Sequence, residues 1–223
     1  MKNIIVLDTE TTTMDTSIEK VEPWNMLVYD CGWAVCKKNG EVVITRSFIN
    51  ADVFFGEKQM MKSAYYGEKI PQYIEQIKNG ESVVASLYTI RKQLLEDIKT
   101  YEVEEVYAHN ARFDLGSLNN TQRYETKSKY RYFFPKSVTI CDSLKMARDV
   151  ILKMPTYKKF CEEHNFFTKC GRLPSSAEIL YRFISKDINF VEEHKGLDDV
   201  MIEKEIVAYC YRQHKPMRKA LYE

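Results

Sequence analysis

The amino-acid sequence predicts an α/β fold with a mixed β-sheet. A short, continuous apolar run near the N-terminus, from Asn3 to Asp8, is typical of a central strand buried on both faces. Two segments rich in β-forming residues flank Asn39-Gly40, the strongest short signal for a hairpin turn. Later in the chain, strand-like segments alternate with segments of helical periodicity. Strands that dominate early and then alternate with helices favour a sheet covered by helices.

The first half of the chain is predicted to contain three strands and an enlarged helical segment. The first strand and the two arms of the hairpin, within residues 26–50, form three antiparallel strands. The helical segment occupies about 50–100, and Pro71 and Asn79-Gly80 punctuate it. A mostly apolar stripe at helical spacing within it consists of Val84, Leu87, Arg91, Leu94, Leu95 and Ile98.

The second half is predicted to add two strands and several helices. Strands are expected at 102–110 and 137–141, and Asp142 or Ser143 is the expected cap of the helix that follows the second of them. These two strands complete a five-stranded mixed sheet flanked by helices.

Two further helix starts are indicated near the C-terminus. Ser175 and Glu178 form the pattern of a capping box, and the last long helix is expected to follow Asp199. No internal repeat or linker interrupts the sequence, so residues 1–223 are predicted to form a single domain.

Composition and charge narrow the class of protein. The chain has 223 residues, 44% of them hydrophobic and 29% charged, which allows a large core. The formal net charge of +1 gives no overall attraction to nucleic acid or membranes, so any basic surface must be local. No apolar run is long enough to cross a bilayer, and the N-terminal run stops at Asp8, too early for a signal-peptide core. A cytoplasmic protein is expected.

The six cysteines are scattered and none forms a CxxC pair, so reduced thiols are expected. The alternative is a zinc site formed by Cys161, His164 and Cys170. A fourth ligand at finger-like spacing is missing, and Cys161 and His164 also fit one face of a helix.

Two carboxylates follow the first predicted strand directly. Asp8 and Glu10 are two residues apart, so on an extended chain their side chains point to the same face. Adjacent carboxylates repel each other unless a cation lies between them. The alternative for this pair is a polar strand end that faces solvent.

A second polar group ends the fourth predicted strand. It contains His109, Asn110, Arg112 and Asp114, at the end of a strand where α/β folds place ligands. Asp114 has the alternative role of capping the next helix.

A third group precedes the last helix. His194 stands just ahead of Asp198 and Asp199, and apolar residues at helical spacing follow. A helix cap or a partner for the helix dipole explains one aspartate. It does not explain the other aspartate or the imidazole.

Together the three groups supply four acids and one histidine. Four carboxylates can hold a pair of hard divalent cations through oxygen ligands. Two metals roughly 4 Å apart can clamp an in-line displacement at phosphorus, and a histidine of ordinary pKa can take the proton of the attacking water near neutral pH. The residues therefore predict metal-dependent hydrolysis at phosphorus.

In this order, the segments DTE, HNARFD and HKGLDD resemble the motifs of the DEDDh family of 3′-5′ exonucleases, which are related to the proofreading epsilon subunit of bacterial DNA polymerase III, oligoribonuclease and RNase T. The resemblance implies an RNase H-like fold and release of nucleoside 5′-monophosphates. The implied ligands of two Mg²⁺ or Mn²⁺ ions are Asp8, Glu10, Asp114 and Asp199, and the implied general base is His194.

The same resemblance distinguishes the two aspartates of the last motif and the class of the general base. The H-x4-D spacing selects Asp199, so Asp198 becomes a helix-start residue. The sister class has a tyrosine four residues before the last aspartate, where this chain has Lys195, so the histidine type is favoured. Thr13 stands where many relatives have a glycine, and the turn after the first strand is expected to differ.

Side chains beside the motifs are expected to hold the 3′-terminal nucleotide. The expected substrate-binding residues are Thr9, Thr11, Thr12, His109, Asn110 and Arg112. The planar fork of Arg112 suits a phosphate, and a surface ion pair is its alternative role. Residues 123–136 carry five basic residues against Glu125, with aromatic residues between them, a pattern typical of single-strand binding unless the aromatic rings pack into the core.

The expected function is therefore a metal-dependent 3′-5′ exonuclease acting on single-stranded nucleic acid, with DNA favoured because residues 61–80 and 168–183 resemble segments of exonucleases encoded by phages. The alternatives are an exoribonuclease acting on short RNA and a catalytically weak binding module associated with a DNA polymerase.

Overall fold

The computed structural model describes residues 2–13, 22–62, 64 and 67–222. These residues form one six-stranded sheet in the order β4-β3-β2-β1-β5-β6. Its strands are β1 (Asn3–Thr13), β2 (Met26–Lys37), β3 (Val42–Asn50), β4 (Val83–Ala85), β5 (Glu105–Ala108) and β6 (Thr139–Asp142). Strands β1, β2 and β3 are antiparallel neighbours, whereas β4 pairs parallel with β3 and the pairs β1-β5 and β5-β6 are parallel. The predicted mixed α/β class is confirmed.

Helices cover both faces of this sheet. They are α1 (Ala51–Phe54), α2 (Lys58–Lys62), α3 (Ile70–Asn79), α4 (Leu87–Thr100), α5 (Arg112–Thr126), α6 (Ser143–Val150), α7 (Pro155–Glu163), α8 (Ala177–Ser185) and α9 (Gly196–Arg212). Short 3-10 helices occupy Pro23–Asn25 and Gly67–Lys69. None of the helices in this described part of the chain has the length and apolar composition needed to cross a bilayer.

The sheet has one strand more than the five predicted. The additional strand, β4, lies within the segment that was predicted to be helical. Gly80 ends α3 in the left-handed conformation, with φ of 74°, and the β-branched pair Val83 and Val84 then extends the edge of the sheet beside β3. Val84 was therefore wrongly assigned to the helical stripe, whereas Leu87, Leu94 and Ile98 of that stripe are buried on α4.

The hydrophobic core divides according to the alternation of side chains along β1. Ile4 and Val6 pack against α6, α7, α8 and α9, and Ile5 and Leu7 pack against α4 and α5 on the opposite face. A third cluster lies where α1, α2 and α3 cover β2 and β3. By the same alternation, Asp8 continues the row of Ile4 and Val6 toward α9.

Three local predictions differ from the structure. The first strand does not end at Asp8 but continues to Thr13, with a bulge between Glu10 and Thr11. Helix α9 begins at Gly196, so that Asp199 lies within its first turn. The capping box of Ser175 and Glu178 is absent, because Ser176 precedes α8 and the Glu178 carboxylate accepts a hydrogen bond from the Glu192 N–H. The expected cap of α6 is confirmed for Asp142, whose Oδ1 accepts from the Leu144 N–H at 2.9 Å.

Candidate active site

The start of α9 lies directly against β2, beside the two acids of β1. Gly32 pairs with Asp8 across the sheet, and a Cβ on Gly32 would lie 2.4 Å from the carbonyl carbon of Gly196. Asp30, which pairs with Glu10, accepts a hydrogen bond from the Gly196 N–H through Oδ2 at 2.9 Å. A glycine at position 32 and a carboxylate at position 30 therefore hold α9 where its first turn faces the acids of β1.

Helix α9 brings two buried acids to this place. Asp199 and Glu203 are 5% and 3% exposed, whereas the adjacent Asp198 is exposed. Residues four apart share one face of a helix, so Asp199 and Glu203 point the same way. Glu203 Oε2 accepts from the His109 N–H at 3.2 Å, which ties α9 to the end of β5.

The fourth predicted acid comes from the first turn of α5. Asp114 is buried, and its Oδ1 accepts a hydrogen bond from the Thr9 hydroxyl at 2.8 Å. Thr9 lies between Asp8 and Glu10 in β1, so this bond fixes α5 to the strand that carries the first two acids.

These elements enclose one small cavity of about 290 Å³. Its walls contain Asp8, Thr9, Glu10, His109, Asn110, Phe113, Asp114, Ser176, Ala177, Glu192, His194, Asp199 and Glu203. The structure thus brings the four predicted acids and the predicted histidine together. Six of the lining residues are acidic, and the described lining contains no lysine or arginine.

Crowding and burial raise the pKa values of these acids. Burial, reinforced by the charges of Glu203 and Asp114, raises the pKa of Asp8 well above its usual range. Burial is also the main cause that raises the pKa of Glu10 to about 8, that of Asp114 to about 7 and that of Asp199 to about 9. Keeping these carboxylates ionised therefore costs folding free energy unless cations neutralise their charge.

The predicted base lies in the loop that leads into α9. His194 has φ of 50°, in the left-handed region that few non-glycine residues adopt. The Tyr73 hydroxyl donates to the His194 carbonyl at 3.5 Å, and the Lys69 ammonium donates to the Glu193 carbonyl. The segment between β3 and β4 thus contacts the loop that carries the imidazole.

The surroundings of His194 favour the neutral form of its imidazole. Burial and the positive charge of Lys69 lower the pKa of His194 from its ordinary value. Its Nδ1 lies 3.9 Å from Glu192 Oε2. One ligand atom from each of Glu10, His194 and Asp199 lies within 4.8 Å of the other two, so the imidazole reaches the acids directly.

Sequence reasoning missed three acids of this region and Lys69. The position of Glu203, four residues after Asp199 on one helix, was a readable signal, as was the charge of Asp30 within an apolar strand. Burial raises the pKa of Asp30 to about 6 and that of Glu192 to about 7. No local pattern marks Glu192 or Lys69, because tertiary contacts alone bring them here.

Of the predicted substrate-binding residues, Thr9, His109 and Asn110 line the cavity. The imidazole of His109 is used internally, since Nε2 bonds the Ser175 carbonyl at 2.7 Å and Nδ1 bonds the Ser143 hydroxyl at 2.9 Å. A carbonyl only accepts, so Nε2 carries the proton and Nδ1 accepts from Ser143. Asn110 is exposed at the edge of the cavity, with φ of 68°.

The other three predicted residues do not line this cavity. Thr11 and Thr12 are buried, and the Thr12 hydroxyl donates to the Met60 carbonyl at 2.5 Å. The bulge after Glu10 and the continuation of β1 explain why the Thr12 hydroxyl faces the protein. Arg112 is exposed and lines a neighbouring groove instead.

The basic and aromatic segment 123–136 is only partly exposed. Phe133 is fully buried in the core, while Tyr130 and Tyr132 are 77% and 59% exposed. The Tyr124 hydroxyl donates to Glu57 at 2.6 Å. Some of the aromatic rings thus serve the core, and others remain available to a ligand.

The alternative zinc site does not form. Cys161 is buried and Cys170 is exposed. Within the described residues, neither cysteine nor His164 belongs to a cluster that could hold a metal ion, whereas Glu10, His194 and Asp199 do.

The acids of the cavity fit divalent cations. Carboxylate oxygens are the preferred ligands of Mg²⁺ and Mn²⁺, and among the described residues no lysine or arginine lines the cavity to neutralise the acids. Asp8, Glu10, Asp114 and Asp199 come from three separate elements, so folding is needed to create this donor set.

We expect divalent cations to stabilise the protein, and increasingly so as the pH rises. The pKa values of about 7 to 9 in the folded state exceed ordinary values of about 4. Without cations, stability is therefore greatest at low pH and is lost as the pH rises through the folded pKa values. A cation at about a hundredfold its dissociation constant adds about 2.7 kcal/mol, roughly 5–10 °C in a chain of this size.

Thermal melts with EDTA or Mg²⁺ at pH 5, 7 and 8 measure this effect. The Asp8→Asn variant serves as the control, because it removes one charge at nearly constant shape. In EDTA at pH 8 it is expected to melt above the wild type and to respond less to Mg²⁺. A wild-type melting temperature that is independent of Mg²⁺ at every pH would contradict the cation site.

A methyl group at Gly32 is expected to disturb the site through α9. Its Cβ would overlap Gly196 and Leu197 backbone atoms at 2.4 Å, so Gly32→Ala should cost about 1–3 kcal/mol and weaken Mn²⁺ binding by displacing Asp199. Gly80→Ala is the control, because a Cβ on Gly80 would meet no atom within 4 Å, although φ there is 74°. It should lose roughly 1 kcal/mol of stability and bind Mn²⁺ normally in calorimetry. Equal Mn²⁺ affinities of the two variants would contradict this coupling.

Comparisons with known proteins identify the fold. No family model matches the chain, and no curated protein matches it. A full-length 3′-exonuclease matches over 98% of this chain and 63% of its own, with TM-score 0.55 and 11% identity. Escherichia coli exonuclease I with a 5cy-dT13 oligonucleotide matches over 96% of this chain and 41% of its own, with TM-score 0.56 and 13% identity. A moderately thermophilic exonuclease I from Methylocaldum szegediense matches over 96% of this chain and 42% of its own, with TM-score 0.57 and 12% identity.

This chain therefore spans 41–63% of the length of those three proteins. At identities of 11–13%, the likeness concerns architecture. The chain has the RNase H-like fold of exonucleases.

Proposed function

We propose that this chain is a divalent-cation-dependent 3′-5′ exonuclease of the DEDDh type that acts on single-stranded DNA. It hydrolyses the terminal phosphodiester bond and releases nucleoside 5′-monophosphates. The observation that carries the proposal is the convergence of Asp8, Glu10, Asp114, Asp199 and His194 on one cavity.

Asp8, Glu10, Asp114 and Asp199 would hold the cations. Two bound Mg²⁺ or Mn²⁺ ions would neutralise the acids, withdraw charge from the scissile phosphate and lower the pKa of water. Glu203 is buried beside Asp8 and Asp114 and raises the pKa of Asp8, so it increases the negative potential that favours cation binding.

His194 acts as the general base. Its lowered pKa leaves the imidazole neutral at pH 7, so it can accept the proton of the attacking water. As the water oxygen bonds to phosphorus, the bond from phosphorus to the 3′ oxygen of the penultimate nucleotide breaks, and that oxygen takes a proton from solvent. The Glu192 carboxylate, 3.9 Å from Nδ1, stabilises the imidazolium that forms.

The terminal nucleotide would be held at the rim of the cavity. Asn110 is exposed there and presents an amide, and Phe113 lines the same cavity with an aromatic ring. The Thr9 hydroxyl donates to Asp114, so Thr9 supports the site by positioning that acid and does not bind the nucleotide itself. We expect Asn110 to bind phosphate or sugar and Phe113 to contact the base.

DNA is proposed as the substrate because one neighbour in fold contains a 5cy-dT13 oligonucleotide. The phage-type origin and the cytoplasmic location rest on the sequence patterns alone, as does the single-domain organisation of residues 1–223. An exoribonuclease and a polymerase-associated binding module remain the alternatives.

A nuclease assay tests the proposal directly. The purified chain is incubated with single-stranded DNA that carries a label on its 3′-terminal nucleotide, with Mg²⁺, with Mn²⁺ or with EDTA. We expect release of labelled nucleoside 5′-monophosphate only with a divalent cation. An equimolar RNA strand of the same sequence identifies an exoribonuclease if it is degraded first. Oligonucleotide binding without turnover would support the binding module and contradict the proposed activity.

A further inference from the structure

A groove runs along α5, beside the carboxylate cavity. Its lining includes Trp24, Arg112, Gly116, Asn119, Arg123 and Tyr222. Arg112 is the first residue of α5, and the next two residues, Phe113 and Asp114, line the cavity. The α5 groove, as we name it, therefore begins where the cavity ends.

The charge of the α5 groove is positive. None of the residues that line it is acidic, and two are arginines. The arginine ion pairs in the described part of the chain involve Arg46, Arg182 and Arg218, so the guanidinium groups of Arg112 and Arg123 have no carboxylate partner there. The buried Nε of Arg123 also lacks a hydrogen-bond partner. Unpaired guanidinium groups that line one groove suit an anionic ligand with repeated charges.

Exposed aromatic rings accompany these charges. Trp24 is 56% exposed and Tyr222 is 82% exposed, and both line the α5 groove. Tyr132, 59% exposed, stacks against the Arg123 guanidinium, whose Cζ lies 5.3 Å from the ring centroid. Basic groups that follow phosphates and aromatic rings that stack bases are the elements of single-strand binding.

The position of Trp24 is fixed by close packing. A Cβ on Gly116 would lie 2.3 Å from Pro23 Cβ, so glycine allows the short helix Pro23–Asn25 to lie against α5. Trp24 is thereby held beside the helix that carries both arginines. From Arg112 to Arg123, α5 rises about 16 Å, which is long enough for more than one phosphate.

We propose that the α5 groove binds the nucleotides immediately 5′ of the terminal nucleotide. Arg112 and Arg123 bind successive phosphates, and Trp24 and Tyr222 stack on bases. This inference rests on the proposed function, because that function places the 3′-terminal nucleotide in the carboxylate cavity. Arg112 then binds a phosphate, as the sequence led us to expect. That phosphate lies upstream of the scissile one.

Tryptophan fluorescence makes the test specific. The chain has two tryptophans, of which Trp33 is fully buried and Trp24 is exposed. Oligo(dT) strands of two to twelve nucleotides are titrated into the protein in EDTA, where hydrolysis cannot interfere. We expect quenching that strengthens with strand length up to the capacity of the groove. Trp24→Phe should abolish most of the quenching and keep binding, as measured by anisotropy.

Arginine variants test the phosphate contacts. Arg112→Gln should weaken anisotropy-measured binding of long strands roughly tenfold and leave dinucleotide binding unchanged. It should also lower the slope of log affinity against log salt by about 0.7. Arg212→Gln is the matched control, because Arg212 is exposed in the last turn of α9 and does not line the groove.

The outcomes separate this inference from the proposed function. Equal affinities and salt slopes of Arg112→Gln, Arg212→Gln and wild type, with no quenching of Trp24, would overturn the groove even if the chain hydrolyses DNA. If the wild type hydrolyses no DNA, but Trp24→Phe loses the quenching and Arg112→Gln loses affinity, the groove is supported and the nuclease function is contradicted. Trp24→Ala at an exposed site provides a second variant, with an expected affinity loss of roughly tenfold from stacking.

Discussion

Asp199→Asn is expected to lower the hydrolysis rate about 10²- to 10³-fold, the usual cost of removing one group that stabilises developing charge. The Asp199 carboxylate is buried beside Glu10 and His194, and burial with the charges of Glu192 and Glu10 raises its pKa to about 9. An amide of the same shape keeps the fold but cannot hold a cation as strongly. The rate of mononucleotide release under saturating DNA measures the effect.

The adjacent aspartate provides a matched control. Asp198 precedes Asp199 in the same helical turn, but its side chain is half exposed and does not line the cavity. Asp198→Asn should therefore retain activity within a few-fold. Equal losses in the two variants would show that the negative charge of this helix, rather than the Asp199 ligand, supports the reaction.

His194→Ala is expected to lower kcat about 10²- to 10⁴-fold, the range attributed to a general base, with a smaller effect on binding. In the wild type, kcat should fall only as the pH drops through the pKa of His194. Burial and Lys69 lower that pKa, so the acidic limb should lie below about pH 6.5, the ordinary value. A pH–rate profile from pH 4.5 to 8 measures the position of this limb.

A second variant tests the cause of the shift. Lys69→Met removes the positive charge that lowers the pKa of His194, so its acidic limb should move to higher pH, while His194→Ala should lose that limb. Tyr88→Phe, at an exposed tyrosine of α4, is a control with no expected change. An acidic limb that persists unchanged in His194→Ala would assign it to another group.

The sequence alone was enough to predict those parts of the fold and of the candidate site that a local pattern marks. The acids of the three motifs and His194 were singled out from the residues, the resemblance to DEDDh exonucleases selected Asp199 over Asp198, and folding brings all of them to one cavity. The continuous apolar run of β1 and the turn at Asn39-Gly40 also predicted the centre of the sheet correctly.

Failures of prediction have physical causes in tertiary contacts. Helical periodicity across Val84 was overridden by edge pairing with β3, and the continuation of β1 past Asp8 buried Thr12 against the Met60 carbonyl. Glu192 becomes part of the site only because a loop without regular structure folds over the cavity. Local sequence carries no information on such distant contacts, so Lys69 and the α5 groove emerged only from the folded chain.

Crystals grown with Mn²⁺ and thymidine 5′-monophosphate test the central claim most directly, through anomalous scattering at the manganese edge. We expect two manganese peaks among Asp8, Glu10, Asp114 and Asp199, with the nucleotide phosphate against them and His194 facing the phosphate. Manganese that binds elsewhere, or no manganese in a cavity whose acids are intact, would contradict the account.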